Sequence, residues 1–306
     1  MNVIDQQSGN GWALYNGDCC EVIQAMPDES IGLSIFSPPF ADLYSYSDSE
    51  RDMGNCRNYQ EFFEHFNFLS KELFRVTHTG RLVVFHCMDI PAMKERDGYI
   101  GIKDFSGDLI RCFQAAGFIY HGRHTVWKDP LTEATRTKAI GLMHKQIQKD
   151  SAMCRSGLPD YIIAMRKPGE NANPIEHKDG LTEYYGSDCP SEHGIKFSHN
   201  VWRRYASPVW MDIRQGNTLN KTAAREEKDE KHICPLQLDV IARMLELYSN
   251  KGDNVLTPFA GIGSEVYQSV IQGRNGIGVE LKSSYYQQAV LNAKQAENKA
   301  QEIKLF

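Results

Sequence analysis

Short apolar runs alternate along the chain with amphipathic stretches and turn residues, without an internal repeat or a low-complexity tract. That alternation predicts an α/β fold. Residues 31–36 (IGLSIF) form a short, β-prone run stopped by Pro38-Pro39, which reads as a buried strand ending in a rigid turn. Over residues 59–76, Phe62, Phe66, Leu69 and Leu73 recur at spacings of three or four, giving one apolar helical face that Thr79-Gly80 ends. Residues 81–85 (RLVVF) read as the next strand, 106–116 as the next helix, and 118–127 and 161–165 as two further strands.

From residue 168 to about 224 the period fades, and Gly, Asn, His, Ser and aromatics mix with Arg203, Arg204 and Arg214. This texture predicts a small inserted domain or long ordered loops. Regular pattern resumes at Pro235, where Leu236, Val240, Ile241, Met244, Leu245 and Tyr248 line one helical face closed by Asn250-Lys251-Gly252. A strand at 253–256, the loop Thr257-Pro258-Phe259-Ala260-Gly261-Ile262-Gly263-Ser264, a helix to about residue 271 and a strand at 276–280 follow. A strand, glycine loop, helix and strand ending in an acid is the half of a doubly wound fold that holds an adenosine-type ligand.

Composition narrows the class. The 306 residues carry 34 Lys+Arg against 39 Asp+Glu, a formal charge of −5, with 41% hydrophobic residues, which excludes a disordered chain and a basic tail. No run approaches the roughly 20 apolar residues of a membrane helix, and MNVIDQQSGNG lacks a secretory pattern, so the expectation is a soluble, cytoplasmic chain. The eight Cys contain no CxxC pair, and no His pair has H-x-x-x-H spacing; no metal site is expected, and the thiols read as reduced and mostly buried.

Two constellations carry chemistry. Gly261 and Gly263 fit G-x-G, a pattern that a simple turn also satisfies, since Val266 occupies the third glycine position of a dinucleotide fingerprint. Its context points to a nucleoside: Glu280, 19 residues beyond Gly261, ends the following strand, where a carboxylate accepts both ribose hydroxyls. The missing glycine argues against a pyrophosphate. The second constellation is Ser37-Pro38-Pro39-Phe40 at the carboxyl end of a predicted strand. Two prolines remove two N–H donors, leaving carbonyl acceptors beside a hydroxyl and an aromatic face, which suits a planar ring bearing an amino group; a plain strand-terminating turn with a core Phe fits the tetrapeptide equally.

Taken together, the chain resembles the DNA amino methyltransferases, in the permuted order in which an S/D/N-P-P-Y/F motif precedes the cofactor loop. The matching residues are Gly17-Asp18, Ser37-Pro38-Pro39-Phe40, the strand at 81–85, Lys231-His232-Ile233-Cys234-Pro235, Pro258 to Ser264, and Glu280. The resemblance implies a doubly wound mixed sheet of the class I methyltransferase type. It implies a catalytic half at 1–166 with a basic loop at 129–157, a target-recognition region at 167–224, and a cofactor-binding half at 225–306. The implied cofactor is S-adenosylmethionine, and the implied reaction is methyl transfer to adenine N6 or cytosine N4 of a flipped base in double-stranded DNA, by an orphan enzyme or a restriction partner. Ser37 and the Pro38 carbonyl would accept the amine protons while Pro39 shapes the turn and Phe40 stacks on the base. Glu280 would bind ribose and Asp18 the adenine edge. Phe259, Gly261, Gly263 and Ser264 would surround the methionine, with His232 and Pro235 near its tail. Thr257 stands where the family usually has an acid, which predicts weaker cofactor binding. Many members dimerise, so a homodimer is an expectation.

Basic residues for DNA concentrate in two places. Arg123, Lys128, Arg136, Lys138, Lys145, Lys149 and Arg155 form a segment suited to phosphates, and Trp202-Arg203-Arg204-Tyr205 combines cations with aromatics suited to base edges or to the gap left by a flipped base. A solvated loop with core aromatics is the plainer alternative. A methyltransferase for RNA or a small amine, and a DNA-binding regulator with a decayed cofactor site, are the rival readings. His86 and Asp89, at a strand end, read first as structural.

Overall fold

The computed structural model describes residues 3–41, 52–56, 58–92, 94–177, 180–181, 194–220 and 235–303. The chain opens with a hairpin, β1 (Asp5–Gly9) and β2 (Trp12–Asn16), followed by the short helix α1 (Cys19–Gln24) and strand β3 (Ile31–Phe36). Helix α2 (Tyr59–Val76) runs directly into β4 (Thr77–Cys87). Strands β5 (Ile90–Ala92) and β6 (Gly101–Lys103) pair around α3 (Lys94–Asp97), and α4 (Phe105–Ala115) leads into β7 (Ile119–Val126). Helix α5 (Pro130–Thr137) and short 3-10 turns precede β8 (Asp160–Arg166). Then come α6 (Gly194–Tyr205), β9 (Val209–Trp210), α7 (Leu238–Tyr248), β10 (Asn254–Thr257), α8 (Ser264–Ile271), β11 (Asn275–Glu280) and α9 (Ser283–Ile303).

The main sheet has the order β1-β2-β11-β10-β3-β4-β8-β7-β9. Strands β2, β11, β10, β3 and β4 are mutually parallel, whereas β8 runs against β4 and β7 runs against β8, so the sheet is mixed. Both faces are covered, because side chains alternate along each central strand. From β3 and β4, Phe36, Val83 and Phe85 join Phe62, Phe66, Leu69, Leu73 and Phe113 of α2 and α4 in one core. Leu33, Ile35, Leu82 and Val84 point the other way, against Val240, Ile241, Met244 and Leu245 of α7. A third cluster joins Trp12 and Leu14 to α8 and α9.

The helix read over 59–76 is present with those bounds and its apolar face buried, though Thr77 rather than Thr79-Gly80 terminates it. Thr77 ends it: this β-branched residue donates its hydroxyl to Leu73 O and is already paired with Ile31 in the sheet. The weakly patterned 168–224 segment behaves in two ways among its described residues. Leu181 and Val201 form a small cluster of their own, whereas Val209–Trp210 adds to the main sheet beside β7 and Trp210 is buried in its core.

Candidate active site

Because β2, β11, β10, β3 and β4 are parallel, their carboxyl ends share one rim, the place where open α/β sheets hold ligands. Gly17-Asp18 follows β2, Glu280 ends β11, the glycine loop follows β10, Ser37 follows β3, and His86 lies next to the last residue of β4. Strand β8 runs the other way, so its first residue, Asp160, reaches the same rim, as does Lys128 beyond the end of β7. A cavity of about 780 Å³ opens there, lined by Ser37 to Phe40, His86, Lys128, Asp160, Gly261 and Glu280 among others. The early serine turn and the late glycine loop therefore share one pocket.

At the acceptor end, register brings together groups that are remote in sequence. Phe36 pairs with Phe85, which sets Ser37 level with His86, and Ser37 Oγ lies 2.9 Å from His86 Nδ1. His86 Nε2 is 3.3 Å from Asp160 Oδ2, within ion-pair distance but without hydrogen-bond alignment, so this nitrogen is left unsatisfied at rest. The other Asp160 oxygen pairs with Lys128 Nζ. Burial opposes the charge of Asp160, yet His86 and Lys128 together hold its carboxyl below the usual range. The nearby negative charge of Asp160 favours the tautomer with its proton on Nε2, which leaves Nδ1 as acceptor, so Ser37 donates its proton to Nδ1 and keeps its lone pairs for a ligand. Phe40 sits edge-on to the His86 ring at 6.4 Å and against Phe105. No local motif marks His86, Asp160 and Lys128 as a unit, and only strand pairing assembles them. Asp89 is structural: it accepts from Ser106 N at the start of α4.

At the cofactor end, Glu280 accepts from Gly261 N at 2.7 Å and Lys282 N at 2.8 Å. Burial pushes it up to about 7 against those bonds. Gly261 (φ +51°) has open space where a Cβ would be, and Gly263 (φ +83°) packs so closely on Ala289 that an added Cβ would lie 3.0 Å from its Cβ. Asp18 lines the cavity while its Oδ1 caps α1, bonding Cys20 N and Glu21 N. Phe259 and Pro235 also line it, and the Phe259 ring is 5.9 Å from that of Phe36. Thr257 is buried at the end of β10 behind the loop, and the buried Ser264 lines the cavity; among the described residues neither hydroxyl has a partner. An unspent hydroxyl, an anchored carboxylate and a glycine turn with room beside it fit a nucleoside that carries a polar tail. His232, with its neighbours 231–234, lies outside the described residues.

The basic residues scatter. Lys145 is exposed on a 3-10 turn, Lys149 on the turn that follows it, and Lys138 is the exposed left-handed cap of α5. Arg155 is half-buried and donates to Ser156 O, and of Arg136 only the backbone, within α5, is described. Arg123 lies over the Tyr161 ring at 4.6 Å. Lys128 faces inward onto Asp160 rather than out toward solvent. On α6, Trp202 and Arg203 point outward, whereas Arg204 reaches toward Asp212 at 3.7 Å and Tyr205 lies under the Arg243 guanidinium at 4.7 Å. Among the described residues no helix is long and apolar enough to cross a membrane.

A doubly wound sheet with a glycine loop, a strand-end acid and a serine turn on one rim is the class I methyltransferase architecture. Comparison with known proteins agrees. The family model for N6/N4 DNA methylases matches residues 31–291. The chain is 26% identical over 274 residues to the orphan methyltransferase M.BamHII of Bacillus amyloliquefaciens, covering 84% of this chain and 86% of that one. It is 23% identical to the type II methyltransferase M.MthZI of Methanothermobacter thermautotrophicus, covering 85% and 70%. Among solved structures, TTHA0409 of Thermus thermophilus in complex with S-adenosyl-L-methionine superposes with a TM-score of 0.63 at 21% identity, over 93% of this chain and 95% of that one. The cytosine-N4-specific PvuII DNA methyltransferase does so at 0.58 and 15%, over 99% and 96%. The chain belongs to the N6/N4 DNA methylase family.

Proposed function

We propose that this protein transfers a methyl group from S-adenosylmethionine to the exocyclic amine of an adenine or a cytosine in double-stranded DNA, with the target nucleotide swung out of the helix into the rim cavity. The observation that carries this reading is the Ser37 hydroxyl, bonded to His86 in the same cavity as the Glu280 and Gly261 cradle. The cofactor assignment is supported by that cradle and by the S-adenosyl-L-methionine complex of TTHA0409. When bound, it supplies an electrophilic methyl on a sulfonium.

The chain's own residues supply geometry and a proton path. An exocyclic amine is a poor nucleophile because its lone pair is delocalised into the ring; Ser37 Oγ and the Pro38 carbonyl accept its N–H bonds and turn that lone pair toward the methyl. Methylation makes the nitrogen cationic and acidic. One proton passes to Ser37 Oγ as the serine proton moves to His86 Nδ1, and Asp160 stabilises the imidazolium. Lys128 keeps Asp160 ionised for that task. Phe40 stacks on the base and offsets part of an extrusion cost of about a few kcal/mol. Residues 167–224 supply target recognition, with Trp202 and Arg203 outward on α6. Expression in a methylation-free host, followed by sequencing that detects both N6-methyladenine and N4-methylcytosine, tests the reading: one modified base in a defined sequence context is expected. Unmodified DNA from a folded, cofactor-binding protein would sink it.

A further inference from the structure

The carboxylates that line the rim cavity differ in one respect. Asp18, Asp52 and Asp129 cap helical turns through backbone N–H groups, and Glu133 accepts from Leu158 N. Asp160 holds Lys128 and His86, and Glu280 is tied to Gly261 N and Lys282 N. Glu265, second residue of α8, lines the same cavity at 5% exposure, and no cation or hydrogen-bond donor beyond its own amide meets it among the described residues. Desolvation accordingly pushes it up to about 8. An acid kept buried at such cost without a partner among the described residues calls for a cationic partner from outside.

Its place in the rim indicates which cation. Glu280 ends β11 and Ser37 follows β3; β10 lies between them, and Glu265 belongs to the loop and helix that leave β10. With ribose at β11 and the acceptor at β3, the central station is where the amino-acid tail branches off. Ser264 beside it offers a buried hydroxyl with no partner, and Thr257 behind the loop brings no charge. Of the two positive groups on the cofactor, the sulfonium has no proton to donate, and a carboxylate in line with it would itself be an acceptor of the methyl. The ammonium has three N–H donors. We propose that Glu265 is the counter-ion of the cofactor's α-ammonium group, so that the cavity selects the intact amino acid over a nucleoside thioether lacking it. This rests on the reading of the cavity as the S-adenosylmethionine site.

Titration calorimetry with S-adenosylhomocysteine and its des-amino counterpart tests it, because both lack the sulfonium and differ only in the amino group. The wild-type protein is expected to prefer the amino compound about tenfold or more, and Glu265→Gln to bring that ratio near unity while still binding both. In the wild-type protein, carbodiimide labelling of Glu265 read by mass spectrometry should be blocked by S-adenosylhomocysteine and not by the des-amino compound, a readout independent of how the variant folds. An unchanged ratio in Glu265→Gln, equal labelling under both ligands, or a variant that loses only its preference for the sulfonium over the thioether would each overturn the assignment. If the wild-type protein bound neither S-adenosylmethionine nor S-adenosylhomocysteine, the cofactor reading itself would fall, and this inference with it.

Discussion

Ser37 keeps its oxygen lone pairs available only because His86 takes its proton, and that division of labour separates binding from turnover. Ser37→Ala is expected to lose most methyl transfer while S-adenosylmethionine affinity, measured by calorimetry, stays within about twofold, since in the proposed reaction the serine serves the acceptor and not the nucleoside. His86→Asn should cost on the order of 10²-fold in single-turnover rate while leaving S-adenosylmethionine affinity unchanged, an outcome that a merely structural histidine would not give. Glu280 behaves differently. Burial, with a smaller push from Asp52, raises it to about 7, while ribose hydroxyls donating to it favour the charged form. If Glu280 holds the ribose as proposed, binding is coupled to proton loss: affinity is expected to be full above about pH 7 and to fall by about tenfold per pH unit below it. Glu280→Gln should weaken binding by about 10–100-fold at pH 8 and abolish this limb of the pH dependence, checked by titrations from about pH 5.5 to 8.5. The serine turn, the glycine loop and Glu280 were all legible in the sequence because each is a local motif at a strand end. The His86, Asp160 and Lys128 chain was not, because nothing but the register of β3 on β4, β4 on β8 and β8 on β7 brings those residues together.

Among the elements, α8 shows how tightly the cofactor loop is built. Its N-cap is Gly263, whose positive φ and lack of a Cβ, which would lie 3.0 Å from Ala289 Cβ, let the loop pack on α9. Gly263→Ala is expected to destabilise the fold by about 1–2 kcal/mol from backbone conformation alone, and to weaken cofactor binding as the loop lifts off α9. Thermal unfolding with and without ligand measures both. The strands and helices of the central sheet were readable from period, since β3, α2, α7 and β10 bury Phe, Leu, Ile and Val at regular spacing. Helix α9 was harder to read: Ala289, Ala293 and Ala296 form much of its buried face, and alanine contrasts weakly with its polar neighbours. Helix α5 does carry a local signal, Asp129 as N-cap with Pro130 at the first turn, but too few apolar positions follow to give it a period. β9 is two residues long and takes its structure from the edge of β7, which no local pattern announces.

For the whole molecule, a formal charge of −5 sets a long-range repulsion that DNA binding must overcome locally. Lys145 and Lys149, like Lys138, are exposed, whereas Lys128 is committed to Asp160, so the phosphate contacts are expected from the exposed lysines. The double variant Lys145→Glu, Lys149→Glu should weaken DNA binding and reduce the slope of log affinity against log salt by about 0.9 for each phosphate no longer neutralised, with S-adenosylmethionine affinity unchanged; an unaltered slope would remove these two lysines from the interface. The strand order carries a further consequence for how the protein is made. β11 lies between β2 and β10, so Trp12 waits 264 positions (276 − 12) for its partner Gly276. On the ribosome the opening hairpin emerges long before the strand that docks beside it, and until then one flank of β2 has no neighbour. Until residue 280 has been synthesised the nascent protein can neither complete its sheet nor set Glu280 against Gly261, so a product truncated before β11 is expected to lack methylating activity.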